Sequence, residues 1–322
     1  MHNVITRLFL FAIMTILISS MAHADEIRFA TQPIPHYAPI FVAKHKKWLD
    51  EELAKVGAKP TLKWASFAAG PAVNESFAAG QQDFAFQGDT PAIVGKAAGI
   101  NTKIIGLSSA GPKSLAVVVP VKSGIKSPKD LKGKKVAVVK GSYAHHLLVL
   151  VLQKGGLTTS DIEFINLSQA DIATSIVNGT IDAAAVWEPL LTKLETQGAV
   201  RVLTNGTGIK KGASVFIVSN DFVTKHRDQT KAVLKAYQRG ADFIKANPKA
   251  AAQLIAKDVN LAPDLLLKVL AKFDYNTALQ ADDIEDLKKV EVFMKNNAII
   301  KSHVNIDTFV DQSLIRELGI IK

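Results

Sequence analysis

The chain contains no cysteine. That excludes a disulfide-stapled scaffold, a thiolate metal site, a cysteine nucleophile and a lipid anchor carried on an N-terminal cysteine. It also lacks a Gly-x-Ser-x-Gly elbow, a His-Glu-x-x-His helix and a Gly-Lys-Ser/Thr at Walker spacing, which removes the common hydrolase, zinc-protease and P-loop readings. His36, His45, His145 and His146 are the clustered metal-ligand candidates, and none has tight ligand spacing. No metal and no cofactor is expected. Lys and Arg number 39 against 29 Asp and Glu, a formal charge of +10, but the basic residues are scattered. There is no arginine-rich arm and no basic–aromatic stripe, so a nucleic-acid partner is not expected. A mild positive field favours anionic ligands, although a solvated lysine surface explains the same charge.

One apolar run stands near the beginning. Arg7 is the only charged residue before Asp25, Leu8 to Ile18 is apolar, and Ala22-His23-Ala24 is a small-x-small cleavage pattern. This reads as a secretory signal peptide cut after Ala24. The alternative, a membrane anchor, would need about 20 apolar residues, and no segment reaches that length. An exported chain without disulfides points to a bacterial periplasm. Residues 25–322 are too many for one simple core and suit two lobes.

Short apolar runs alternate with helical patterns. Strands are expected at Glu26–Ala30, Thr61–Trp64, Phe84–Phe86 and Ile104–Leu107, with helices at Tyr37–Ala54 and Val73–Ala79. From Thr230 onward the pattern is nearly all helical, at Ala232–Lys245, Lys249–Lys257, Ala262–Lys272 and Asp282–Lys295. The fold class is α/β, with mainly parallel sheets. Gly80-x-x-Asp83-x-Ala85 is echoed by Gly179-x-x-Asp182-x-Ala184, and Asp89 by Glu188. Each copy reads as helix, glycine stop, aspartate, strand and an acidic residue past the strand's end. Two lobes built on one plan would face each other with the carboxyl ends of their strands, where open α/β sheets bind ligands. Ser109–Lys113 and Lys210–Ala213 are short polar segments before apolar runs, and fit two crossings between lobes. The expected division is 25–112 with 221–322 as lobe I and 113–220 as lobe II.

The most informative stretch is Lys135 to Leu148. Val136-Ala137-Val138-Val139 is an apolar strand, Lys140-Gly141-Ser142-Tyr143 breaks it, and a helix resumes at His145. Strand, Gly-Ser turn and helix N-terminus in this order can hold an anion on free backbone N–H groups and the helix dipole. An ordinary turn capped by Ser142 would look the same.

Together with Phe67-Ala68-Ala69-Gly70-Pro71, Gly88-Asp89-Thr90-Pro91, Trp187-Glu188-Pro189 and Val200 to Thr207, this stretch resembles the substrate-binding proteins of bacterial ABC importers for aliphatic sulfonates. The resemblance runs from Arg28 to about Leu318, weakening after Asp221. It implies a two-lobed periplasmic binding protein of type II with a ligand cleft between the lobes. It implies, further, a membrane permease and a cytoplasmic ATPase as partners of a monomeric receptor that is not an enzyme. Taurine, nitrate and thiamine-precursor (pyrimidine) receptors share the fold. Carried over residue by residue, Gly141, Ser142 and His145 match the family's Gly-Ser-Ser-Ser-His turn for the sulfonate oxygens. Tyr143 and Ala144 depart from it and offer backbone N–H groups in place of two hydroxyls. Gly88 and Asp89 match a turn at another helix start, where the Thr90 hydroxyl is the expected donor and Asp89 the cap. Trp187 matches the cleft tryptophan, Gln32 follows the first strand, and Glu188 replaces an aspartate. Ser214 stands where taurine-type relatives are expected to place a carboxylate, which favours alkanesulfonates without an amine. Trp187, Phe67 and Tyr37 are the aromatics available to an alkyl tail.

Overall fold

The computed structural model describes residues 26–321; the expected signal peptide and its cleavage after Ala24 lie outside them. Ten strands form two five-stranded sheets. The first contains β1 (Glu26–Thr31), β2 (Thr61–Ser66), β3 (Phe84–Gly88), β4 (Thr102–Ala110) and β10 (Ala213–Ser219), in the order β2-β1-β3-β10-β4. The second contains β5 (Leu115–Pro120), β6 (Lys135–Val138), β7 (Glu163–Asn166), β8 (Ala183–Trp187) and β9 (Val200–Asn205), in the order β7-β6-β8-β5-β9. The two orders are the same topology. In each sheet all strands share a direction except one, β10 in the first and β5 in the second. Those two strands enter directly from the other lobe. With no crossover helix between them and their neighbours, they can pair antiparallel. The division expected from the sequence places 213–219 in lobe II, whereas β10 is hydrogen-bonded into the first sheet, from Ser214 opposite Gly88 to Val218 opposite Phe84.

Helices flank both sheets: α1 (Ala38–His45), α2 (Trp48–Lys55), α3 (Gly70–Ala78), α4 (Asp89–Ala97), α5 (Tyr143–Lys154), α6 (Gln169–Val177), α7 (Leu190–Thr196), α8 (Asn220–Lys225), α9 (Arg227–Ala246), α10 (Pro248–Ile255), α11 (Pro263–Leu270) and α12 (Ala281–Asn296). The expected helix over 37–54 is broken between α1 and α2, where Lys47 takes a left-handed φ of +57°. A lysine there leaves no Gly or Pro signal, and periodicity alone cannot register the break. Among the described residues no helix is long and apolar enough to cross a membrane.

The sequence echo corresponds to matching structure. Asp83 accepts a hydrogen bond from the Arg28 amide at 2.8 Å, and Asp182 accepts one from the Lys135 amide at 2.8 Å. Their own amides donate back to Arg28 O and Lys135 O, each at 2.9 Å. Gly80 and Gly179 end the preceding helices at φ +67° and +72°, where a side chain would be strained. In both lobes the aspartate thus pins the start of a central strand to its neighbour, and the acidic residue after the strand comes out at the same place.

The first sheet packs an aromatic layer: Phe86 lies 4.4 Å from Phe216 and 5.2 Å from Tyr237, and Phe29 lies 4.6 Å from Trp64. Helix α9 closes this layer by passing against α1 at Gly240, where a Cβ would stand 2.2 Å from Pro39 O. Gly240→Val is therefore expected to destabilise the protein by about 1–3 kcal/mol, the usual cost of overpacking. A urea midpoint unchanged from the parent would show that the two helices are free to separate.

Candidate functional site

Both single antiparallel strands begin where the parallel strands end. Leu115 of β5 pairs with Trp187 at the end of β8, and Ser214 of β10 pairs with Gly88 at the end of β3. The crossings therefore lie beside the carboxyl ends of both sheets, and a cavity lies between the lobes there. Gln32, Tyr37, Gly88 and Pro91 line it from the first lobe, and Ser142, Tyr143 and Trp187 from the second. Six residues singled out in the sequence, Gln32, Tyr37, Gly88, Ser142, Tyr143 and Trp187, meet around this one space.

The second lobe presents the start of α5. Ser142 is its N-cap and accepts the His145 amide on Oγ at 3.2 Å. The amides of Tyr143 and Ala144 have no acceptor among the described residues, so the positive end of a twelve-residue helix opens on the cleft. The capping role and the free amides coexist, so the two readings of this turn were not exclusive.

Tyr143 does more than fill a serine's place. Its ring lies 5.7 Å from Trp187, and its hydroxyl crosses the cleft to hydrogen-bond His36 Nε2. Gly88 makes room for it: a Cβ there would stand 3.1 Å from Tyr143 Cβ. His36 is sandwiched edge-on between Tyr143 and Phe273, at 5.6 and 4.5 Å. Burial lowers its pKa to about 3, so the imidazole is neutral near pH 7. Burial also holds the Tyr143 phenol protonated, well above its ordinary range. Ser214 Oγ and His36 Nδ1 belong to the buried polar atoms that have no hydrogen-bond partner among the described residues.

The carboxylates past the strand ends are both neutralised. Asp89 Oδ2 lies 2.6 Å from Lys210 Nζ, with both side chains almost fully buried. Lys210 Nζ also lies 3.1 Å from His146 Nδ1, and the His146 ring stacks on Phe293 at 4.1 Å. Burial first, then the charge of Lys210, push the His146 pKa far below its usual value. Asp89 stands at the head of α4 in the first lobe, His146 in α5 of the second, and Lys210 on the crossing between them. The cluster ties all three together. In the equivalent place, Glu188 bonds Lys272 Nζ at 2.5 Å and the Thr192 hydroxyl at 2.7 Å. Lys272 belongs to the segment that runs beside β4, where Asp274 bridges to Ala110.

Other expected site residues lie elsewhere. The Thr90 hydroxyl, expected as an anion donor, is held by Asp89 Oδ1 at 2.9 Å, because Asp89 turns back on its own helix start. Glu188 is saturated by Lys272 and Thr192. Phe67 is half-buried in the loop after β2, its amide bonded to Thr31 O at 2.9 Å, and does not line the cavity. Gly141 and His145 face a separate chamber. The His145 ring accepts the Gly141 amide at 3.3 Å, and burial followed by nearby Lys140 lowers its pKa. The clamping lysines Lys210 and Lys272 carry no local sequence pattern that separates them from the other basic residues.

Two α/β lobes of identical strand order, joined by paired crossings and enclosing a cavity at their strand ends, define a periplasmic binding protein of the second type. The family model described as "NMT1/THI5 like" matches residues 34–251, and the chain belongs to that family. It is 32% identical to a Bacillus subtilis (strain 168) protein named as an aliphatic sulfonates-binding protein, over 91% of this chain and 87% of that one. Its structure is similar to the alkanesulfonate-binding protein SsuA from Xanthomonas axonopodis pv. citri, bound to MOPS (TM-score 0.82, 26% identity, 91% of this chain and 100% of that one). It is also similar to the periplasmic aliphatic sulphonate binding protein SsuA from Escherichia coli (TM-score 0.79, 26% identity, 90% and 98%). The desulfurization enzyme DSZB shares the fold alone, at 16% identity (TM-score 0.68, 91% and 98%).

Proposed function

We propose that this chain is a periplasmic receptor that captures an aliphatic sulfonate between its lobes and delivers it to the permease and ATPase of an ABC importer. The observation that carries this reading is the head of α5, where the amides of Tyr143 and Ala144 have no acceptor among the described residues and Ser142 and Tyr143 line a cavity walled by neutral donors and aromatics. A sulfonate is a strong acid and stays ionised, so its site needs hydrogen-bond donors and no proton acceptor. Oriented amides supply them without the desolvation of a buried counter-ion. Each charge-assisted hydrogen bond contributes about 1.5–3 kcal/mol. The sulfonate-binding names of the similar proteins support the same ligand class, and the periplasmic name of the Escherichia coli protein supports the compartment.

The site favours a ligand without an amine. Its two nearby carboxylates, Asp89 and Glu188, are already paired with Lys210 and Lys272, so neither is free to hold the ammonium of taurine. The chain acts as a monomeric receptor rather than an enzyme, with lobe I formed by 26–111 and 213–321 and lobe II by 112–212. The test is a thermal-shift panel of alkane- and arylsulfonates against taurine, nitrate and sulfate. A binding sulfonate at a hundredfold excess over its Kd is expected to add about 2.7 kcal/mol of stability. Stabilisation by taurine or nitrate alone would overturn the ligand assignment.

A further inference from the structure

The basic residues, scattered over the chain as a whole, are dense in one place. Lys122, Lys126, Lys129, Lys132, Lys134 and Lys135 lie between the end of β5 and the first residue of β6. Strand register fixes where this link sits. Leu115 opposite Trp187 marks the cleft end of the second sheet, while Val118 opposite Ala184 and Val136 opposite Ala183 lie toward the other end. The link therefore covers the outer pole of lobe II, away from the cleft. The end of α5 joins it there. A Cβ on Gly155 would stand 2.8 Å from the Lys129 nitrogen, which sets Lys154 beside the link. These lysines are exposed, apart from the half-buried Lys134. Among the described residues none of them is in an ion pair, whereas Lys55, Lys231 and Lys288 of lobe I each have one. The aspartates of the pole are turned onto backbone amides. Asp130 accepts from Ser127 N at 2.8 Å, Asp161 from Thr158 N at 2.9 Å and Asp182 from Lys135 N at 2.8 Å. Glu163, at the β7 edge, is exposed and opposes the lysines. Arg201 is used inside the fold, where it donates to Ser123 O at 3.1 Å and Ile125 O at 2.5 Å. Val121, next to Lys122, is 48% exposed.

We propose that this pole docks on an anionic phospholipid membrane, drawn by the charge of its headgroups. The residue types favour a lipid surface over a compact anion. Lysine ammoniums are hydrated point charges on flexible stems, able to follow a smeared anionic layer. The guanidinium of Arg201, the group suited to bidentate capture of one phosphate or carboxylate, is turned inward. An exposed valine among lysines fits the boundary between headgroups and acyl chains. The position fits as well, since a molecule resting on this pole keeps its cleft clear of the membrane. Each lysine near an anionic surface strengthens the attraction about fivefold. Such docking goes beyond the receptor reading and does not depend on which anion the cleft takes. It would hold the receptor loosely at the membrane that carries its permease, so that the two meet by a search in two dimensions.

Co-sedimentation with vesicles tests this, on the form expected after cleavage, which begins at Asp25 and lacks the apolar N-terminal run. The protein should bind vesicles containing phosphatidylglycerol, leave vesicles of phosphatidylcholine alone unbound, and be released as salt shortens the screening length. Lys126→Gln, Lys129→Gln and Lys132→Gln together should lower the partition onto phosphatidylglycerol vesicles by about a hundredfold. All three side chains are exposed, so the thermal midpoint should stay that of the parent. Lys249→Gln, Lys257→Gln and Lys268→Gln remove the same charge from exposed positions of lobe I and should leave the partition nearly unchanged. If both triple variants lose binding equally, the attraction belongs to the net charge and the pole assignment is overturned. Equal binding to both kinds of vesicle overturns it too, as does binding to soluble polyglutamate but to no vesicle. The readout needs no sulfonate. A failure of the thermal-shift panel therefore leaves the vesicle result standing, and a failure on vesicles leaves the receptor reading intact.

Discussion

Lys210→Met is expected to lower the stability of the protein by about 3–5 kcal/mol, because it leaves Asp89 as an uncompensated charge in a nearly dry site. Lys210→Met combined with Asp89→Asn should recover most of that loss, since removing both charges also removes the need to solvate either. The measurement is the guanidinium midpoint of the four members of the cycle at neutral pH. The pair is an interlobe device as well as a buried one. Lys210 lies on the crossing, Asp89 heads a helix of the first lobe, and His146 comes from the second. A loss below about 1 kcal/mol, the range of exposed ion pairs, would mean that the free protein opens enough to hydrate the carboxylate. In that case ligand binding should restore the full effect, and the same cycle repeated with a bound sulfonate would show it.

Acidification from pH 7 to pH 5 should destabilise the protein through its buried histidines. The folded state holds His36 and His146 as neutral rings with pKa values below their ordinary 6.5. In the unfolded chain both take up protons near that ordinary value, so between pH 7 and pH 5 the unfolded state binds more protons. By linkage, stability must fall as the pH falls through this window. The loss is about 2 kcal/mol for each histidine between pH 7 and pH 5. The groups facing His146 are Lys210, whose ammonium also holds Asp89, the Phe293 ring and the neighbouring His145. Near the same cluster, burial and then the charge of Asp89 raise the pKa of Asp286. That group works in the opposite sense, since its protonation favours the folded state. His36→Phe should flatten the slope by up to about half, with His146 and His145 carrying the rest and Tyr143 losing its cross-cleft partner. A slope between pH 7 and pH 5 that is the same in His36→Phe and the parent would show that His36 is not held neutral.

The two effects share a location. The neutral His36–Tyr143 contact and the Asp89–Lys210–His146 cluster both span the lobes. Proton uptake by either histidine therefore acts against closure as well as against folding, and ligand affinity should weaken with acid although the sulfonate itself never titrates.

Much of this architecture was written in local patterns. Apolar runs such as Val136–Val139 had to become buried strands, and Gly80 and Gly179 had to end helices, because period, chain length and the left-handed preference of glycine act within a few residues. The paired Gly-x-x-Asp-x-Ala segments announced two lobes on one plan, and the Gly141-Ser142 turn announced a helix start able to meet an anion. The break at Lys47, the return of β10 to the first sheet, the capture of the Thr90 hydroxyl by Asp89 and the clamps from Lys210 and Lys272 came only with the folded chain. Each depends on groups far apart in the chain or on which neighbour wins a shared partner. Such competition is settled by three-dimensional packing, because a lysine's role is set by the carboxylate it is buried against and not by the residues beside it.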